Sequence, residues 1–178
     1  MDTTYSLLPH PTSAELEWLF ATGVPVNAMA EPWPIKSAKV RFFKNGTFDF
    51  DREGHQAIIL LAHDLGKAID LIAWRAPSRG IASWRDAAFC LGDLDDVFNP
   101  ATYFAGGALT VHASPLEWLR AGRDGIVIIR PELSYIYLAR CRRLLVSDVQ
   151  FAAKVRHWVQ PPRPNVEIIV ADTAWVLT

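Results

Sequence analysis

Hydrophobic and polar residues follow two different rhythms along this chain. Between Val40 and Trp74 the pattern is that of hairpins. Val40-Arg41-Phe42-Phe43, an Asn45-Gly46 turn and Thr47 to Asp51 predict the first, with Phe48 and Phe50 on one face and Thr47, Asp49 and Asp51 on the other. Ala57 to Ala62 and Ala68 to Trp74 predict the second, joined by His63-Asp64-Leu65-Gly66-Lys67. From Leu109 onward the rhythm changes to strands alternating with capped helices. Leu109-Thr110-Val111 leads into Ser114-Pro115-Leu116-Glu117, where a serine cap, a proline in the first turn and a glutamate three residues on predict a helix start that Gly122 ends. Gly125 to Ile129 has the unbroken apolar character of a strand covered on both faces. Leu144-Leu145-Val146 is a further strand in which Leu144 and Leu145 are expected to be buried, Asp148 caps a helix with Phe151 and Val155 on one face, and Val166 to Val170 forms a fourth strand. The segment after Pro131, through Tyr135-Ile136-Tyr137-Leu138, fits either a helix or a strand.

Other segments carry local signals. Thr12-Ser13-Ala14-Glu15 is a capping box ahead of Leu16, Leu19 and Phe20, and Gly23-Val24-Pro25 ends that helix. Pro32-Trp33-Pro34 cannot continue a helix, and Trp33 either plugs the end of a core or lies in a ligand surface. Asp70 interrupts an apolar strand; it faces water at an edge, bonds across the sheet, or marks a site. Ser83-Trp84-Arg85-Asp86 predicts a helix start running to Cys90, and Asp93, Asp95 and Asp96 read as a solvated acidic turn. The change of rhythm near Gly106-Gly107 predicts an α+β lobe over 1–106, with two hairpins, in contact with an α/β lobe over 107–178.

Composition narrows the classes. Hydrophobic residues make up 51% of the 178 and charged residues 21%, so a packed globule is expected and disorder is not. Cys90 and Cys141 describe neither a disulfide framework nor a thiolate zinc site. Apolar runs are too short to span a bilayer, and the reading is a cytoplasmic protein with no membrane partner. The net charge of -1 conceals an asymmetry: residues 1–100 hold 9 Lys/Arg and 13 Asp/Glu, whereas residues 101–178 hold 9 and 6. The basic residues Arg120, Arg123, Arg140, Arg142, Arg143 and Arg156 are therefore candidates for contact with a nucleic-acid backbone.

Neither a phosphate-binding loop, a dinucleotide glycine fingerprint, a serine nucleophile elbow nor a His-Glu-x-x-His site occurs. The order of elements over residues 12–172, with Ile58 to Trp74 as its hairpin and the alternating unit from Leu109, resembles the core of bacterial-type DNA primases. That resemblance implies a Toprim-like second lobe, in which an acidic residue after the first strand and an Asp-x-Asp pair after the third hold divalent metal. Here the matching segments are Val111-His112-Ala113-Ser114, without a glutamate, and Asp148-Val149-Gln150, with a single aspartate. Phosphoryl transfer needs several hard oxygen ligands, so the resemblance implies a degenerate scaffold that has lost its metal chemistry, with Asp148 either an ordinary helix cap or, together with His112, a residual metal ligand.

The fold expected is thus α/β: a C-terminal, Toprim-like, mainly parallel four-strand sheet with helices, preceded by a smaller lobe of hairpins. A wholly antiparallel α+β protein is the alternative if Ser134 to Ala139 is a strand. The functional expectation is a non-catalytic accessory protein without a cofactor, partnered by single-stranded nucleic acid or a replication protein. A metal-dependent phosphotransferase or nuclease is one alternative. A protein-interaction module presenting Trp33, Trp84 or Trp118 is the other.

Overall fold

Each residue of the strand His55–Asp64 points its side chain to the face opposite its neighbour's, and both faces of its middle are buried. Ile58, Leu60 and Ala62 belong to one core, while Ala57, Ile59 and Leu61 belong to another. This explains why the run reads as continuously apolar rather than alternating. The computed structural model describes residues 2–78, 80–139 and 141–161. Arg140 and the predicted strand Val166 to Val170 lie outside the described residues.

Among the described residues nine strands form one sheet: β1 (Lys36–Phe42), β2 (Phe48–Phe50), β3 (His55–Asp64), β4 (Lys67–Trp74), β5 (Ile81–Ser83), β6 (Cys90–Asp93), β7 (Leu109–His112), β8 (Ile126–Ile128) and β9 (Leu144–Val146). The main path runs β2-β1-β3-β6-β8-β7-β9, with β4 on β3 and β5 on β4. The first hairpin pairs Val40 with Phe50, and the second pairs Ile58 with Trp74, with a register shift at Ala62/His63. β3 and β6 run parallel, pairing Ala62 with Gly92, and β6 meets β8 antiparallel. β7 is parallel to both β8 and β9. The fold is mixed α/β.

Helices cover both faces. α2 (Ser13–Ala21) starts at the expected capping box: the Thr12 N–H donates to Glu15 Oε2 at 2.8 Å, and the Glu15 N–H donates to Thr12 Oγ1 at 3.2 Å. α2 follows a short α1 (Asp2–Leu7) and precedes α3 (Val26–Ala30). Leu19 of α2 joins Trp118 and Leu119 of α5 (Pro115–Arg120) over Leu60, Leu91 and Val127 of the sheet. On the opposite face Phe151 and Val155 of α7 (Val149–Trp158) pack on Leu109, Val111, Ile126 and Ile128. Fully burying one such side chain contributes roughly 1.5–3 kcal/mol before entropy is counted. A helix rather than a strand follows Pro131: a 3-10 turn at Pro131–Leu133 runs into α6 (Ser134–Tyr137). Between β6 and β7 lie α4 (Asp95–Phe98) and a 3-10 segment at Pro100–Gly106.

Two expectations differ from what is observed. Residues 83–90 do not form a helix; they bend into β6. The cause is Asp70, which is fully buried. Its Oδ1 accepts from the N–H groups of Leu71 at 2.8 Å and Arg85 at 3.0 Å, and its Oδ2 from those of Ala87 at 2.9 Å and Ala88 at 3.2 Å. The Ser83 hydroxyl donates to the same Oδ2. The Ala87 and Ala88 amides, which a helix from Ser83 would direct at its own carbonyls, are taken by this one carboxylate, and Asp86 sits at φ 54°, outside a right-handed helix. Leu145 is 57% exposed rather than buried, because Leu144 and Val146 turn toward the core and the residue between them faces away.

Candidate functional site

α4 stands between two cavities, and each gathers side chains that are far apart in the chain. The first opens where the parallel strands β3 and β6 end. Their register sets His63 beside Asp93, and Gly92 at φ 103° makes room: a Cβ there would meet the Gly125 carbonyl oxygen at 2.5 Å. The cleft has a volume of about 350 Å³ and is lined by Trp33, Leu61, His63, Asp96, Trp118 and Arg123, among others.

Trp33 stacks on His63, with ring centroids 6.0 Å apart and planes 16° from parallel, and remains 37% exposed. Its place is fixed from behind by Arg123, which donates from Nη2 to the Trp33 carbonyl at 2.8 Å and from Nε to the Ala28 carbonyl at 2.7 Å. The same guanidinium lies 5.6 Å from the centre of the Trp118 ring. Burial lowers the Arg123 pKa, an effect that the nearby Tyr5 phenol opposes. Tyr5 is buried too, donates to the Pro34 carbonyl at 2.6 Å, and has its own pKa raised by desolvation.

The two carboxylates of the cleft differ. Asp93 holds the β3–β4 turn and the start of α4, accepting from the N–H groups of Gly66 at 3.2 Å and Asp95 at 3.0 Å. Asp96 is half-buried, and its carboxylate has neither hydrogen bond nor ion pair among the described residues. Burial raises its pKa, and the neighbouring charges of Asp93, Asp124 and Asp95 add to the rise. Behind them the buried Cys90 thiol is pushed up by desolvation and then by Asp93, Asp96 and Asp64.

On the other side of α4 is an open cavity of about 380 Å³, lined by Val97, Phe98, Pro100, Tyr103 and Arg142. Phe98 is 51% exposed, and Arg142 is exposed. The Tyr103 hydroxyl donates to the Val97 carbonyl at 2.8 Å, which fixes that ring against α4.

The six arginines expected at a nucleic-acid backbone are not alike. Arg120 is bound to the Thr22 carbonyl at 2.5 Å, Arg123 to the two carbonyls above, and Arg143 to the Gly106 carbonyl at 2.8 Å. These bonds tie loops together. Arg142 and Arg156 are exposed and make no such bond among the described residues. His112 is the last residue of β7 and Asp148 follows its parallel neighbour β9, in keeping with the pairing of Val111 with Val146. The His112 Nε2 lies 2.8 Å from the Asp124 carbonyl, and Asp148 caps α7 through the Phe151 N–H at 2.7 Å. Among the described residues no group of three or more His, Cys, Asp or Glu is arranged to hold a metal. These residues do not fit the divalent ion that a Toprim site implies. Of the tryptophans considered for a contact patch, Trp118 is buried in the core and Trp84 packs on Phe50, with centroids 5.5 Å apart.

Sequence reasoning reached Trp33, His63, Asp96 and Arg123 one at a time and never as a group. Their convergence depends on the β3–β6 pairing, for which local pattern holds no signal. No helix among the described residues is long and apolar enough to cross a membrane. Comparison with protein-family models, with curated proteins and with solved structures finds no match.

Proposed function

We propose that the chain is a non-catalytic accessory protein that binds single-stranded nucleic acid on the Phe98 side of α4. The observation that carries this reading is the position of Arg142, an exposed cation beside the half-exposed ring of Phe98 and the fixed ring of Tyr103 in an open cavity. Unpaired bases stack on aromatic rings without regard to sequence, and a neighbouring guanidinium holds the phosphate between them. Arg156 and Lys154, exposed on α7, are further phosphate partners; Arg120, Arg123 and Arg143 serve first to hold the fold. The scaffold would be Toprim-like in its three parallel strands β8, β7 and β9, but without metal chemistry, since His112 and Asp148 are committed to local hydrogen bonds.

The test is titration of a short oligothymidylate at several salt concentrations, read by fluorescence anisotropy. Affinity should fall steeply with salt, and Arg142→Ala should weaken binding and reduce the log-log slope by about 1. Phe98→Ala should weaken binding with no change in slope. Salt-insensitive binding, or no binding at low salt, overturns the reading.

A further inference from the structure

The cleft on the other side of α4 has a chemistry opposed to that of the Arg142 cavity. Two carboxylates, Asp93 and Asp96, line it with one guanidinium, Arg123, and the imidazole of His63, so with the imidazole neutral one negative charge is left over. Asp93 and Arg123 are committed to backbone groups at 2.7–3.2 Å, which leaves Asp96 as the carboxylate with open lone pairs. A phosphate-bearing ligand would meet that charge unfavourably. A cation would not.

The walls narrow the choice further. Trp33 is stacked against His63 yet still 37% exposed, so part of the indole is open to a ligand. A guanidinium can lie flat on an indole while its N–H groups, all in its own plane, reach a carboxylate at the ring's edge. An ammonium has no such plane. The cleft already contains one guanidinium near an indole, Arg123 beside Trp118, whereas no lysine or arginine lies over Trp33 among the described residues. A carboxylate is an acceptor only, with two oxygens to match two adjacent N–H donors.

We infer that this cleft binds a planar cation of the guanidinium class, either a free guanidino compound or the arginine side chain of a protein, stacked on Trp33 and hydrogen-bonded to Asp96. This site is separate from the nucleic-acid surface proposed above and stands whether or not oligonucleotide binds there.

The full chain is titrated by calorimetry with agmatine, a blocked arginine tripeptide, a blocked lysine tripeptide and guanosine. The indole N–H signals are followed in parallel by nitrogen–proton NMR, assigned with Trp33→Phe. The expected result is saturable binding of agmatine or the arginine peptide with movement of the Trp33 indole signal, and binding of the lysine peptide at least about tenfold weaker. Equal affinity of agmatine and arginine peptide identifies a site for the free compound; a clear gain for the peptide identifies a protein partner. Asp96→Asn should lower the affinity about tenfold or more, and Trp33→Ala should do so independently, with folding of each checked by circular dichroism. No saturable binding of either guanidino probe, lysine binding as well as arginine, guanosine binding more tightly than both, or an unchanged affinity in folded Asp96→Asn each overturns the inference.

Discussion

Arg123 reaches across 90 residues of sequence to donate a hydrogen bond to the Trp33 carbonyl, 2.8 Å away. A second bond from the same side chain goes to Ala28, so one guanidinium fixes the whole turn between α3 and β1. Hydrogen bonds from a charged donor are worth roughly 1.5–3 kcal/mol each where water is excluded, and partial exposure reduces that. Arg123→Ala should therefore cost about 2 kcal/mol in urea unfolding and broaden the Trp33 indole signal. Lysine cannot supply two directed bonds from one plane, so Arg123→Lys should recover less than half of the loss. An unchanged unfolding midpoint in both variants would refute this role.

Asp70→Ala leaves the buried Ala88 amide and Ser83 hydroxyl, and the part-buried amides of Arg85 and Ala87, without their acceptor. Each orphaned group costs about 1–3 kcal/mol, so a loss of 3 kcal/mol or more is expected. Asp70→Asn keeps one accepting oxygen and should fall between the two. Chemical denaturation of the three proteins checks the order; equal stability of Asp70→Ala and wild type would show the loop to be held by something else.

Gly92→Ala combines a left-handed φ of 103° with a Cβ placed 2.5 Å from the Gly125 carbonyl oxygen. Because the obstacle is backbone, relief requires β6 and the turn before β8 to separate. A loss of about 2–3 kcal/mol is expected, with the floor of the cleft displaced. Gly46 makes the comparison, since a Cβ there meets nothing within 4 Å and only its φ of 83° is unfavourable; Gly46→Ala should cost about half as much. Thermal melts of the pair decide it.

Asp96 gives a pH dependence whose sign is fixed by its environment. Its folded-state pKa is raised, first by burial and then by Asp93, Asp124 and Asp95, so the folded state holds its proton more tightly than the unfolded chain does. The stability from this preference is present in full below the ordinary value of 3.8 and is lost as pH rises through the raised value. Asp96→Asn, which never ionises, should therefore gain on wild type across that window and hold the gain to neutrality. Urea midpoints measured between pH 3 and neutrality test this; a gap that shrinks with rising pH would contradict it.

Much of this molecule was legible from local pattern. The capping box at Thr12, the serine cap at Ser114, the turn at Asn45-Gly46 and the strands on either side of His63–Lys67 each follow from a few adjacent residues. Asp70 stood out as a carboxylate in an apolar strand, and a bond across the sheet was one of its three readings. What the pattern lacked was the number of amides it would capture. A helix predicted from Ser83 failed for that reason, since its competitor lies thirteen residues upstream. The cleft was illegible for a related reason: Trp33, His63, Asp96 and Arg123 come from four separate segments, and nothing local announces that β3 and β6 are neighbours.

β3 gives the same edge first to β1, through His55 to Ile59, and then to β6, through Ala62 and His63, while its other edge pairs with β4. Each of those neighbours is itself flanked by a further strand, β2, β5 or β8, so fraying of the sheet's outer strands leaves its amides covered. In deuterated water the protons of Leu60 and Leu61 should be among the last to exchange, at a rate set by global unfolding, while those of β9 and β2 exchange through local opening. The strand that ends at the cleft would then be the most slowly opening part of the molecule, and a ligand held there would meet a wall that yields only when the whole sheet does.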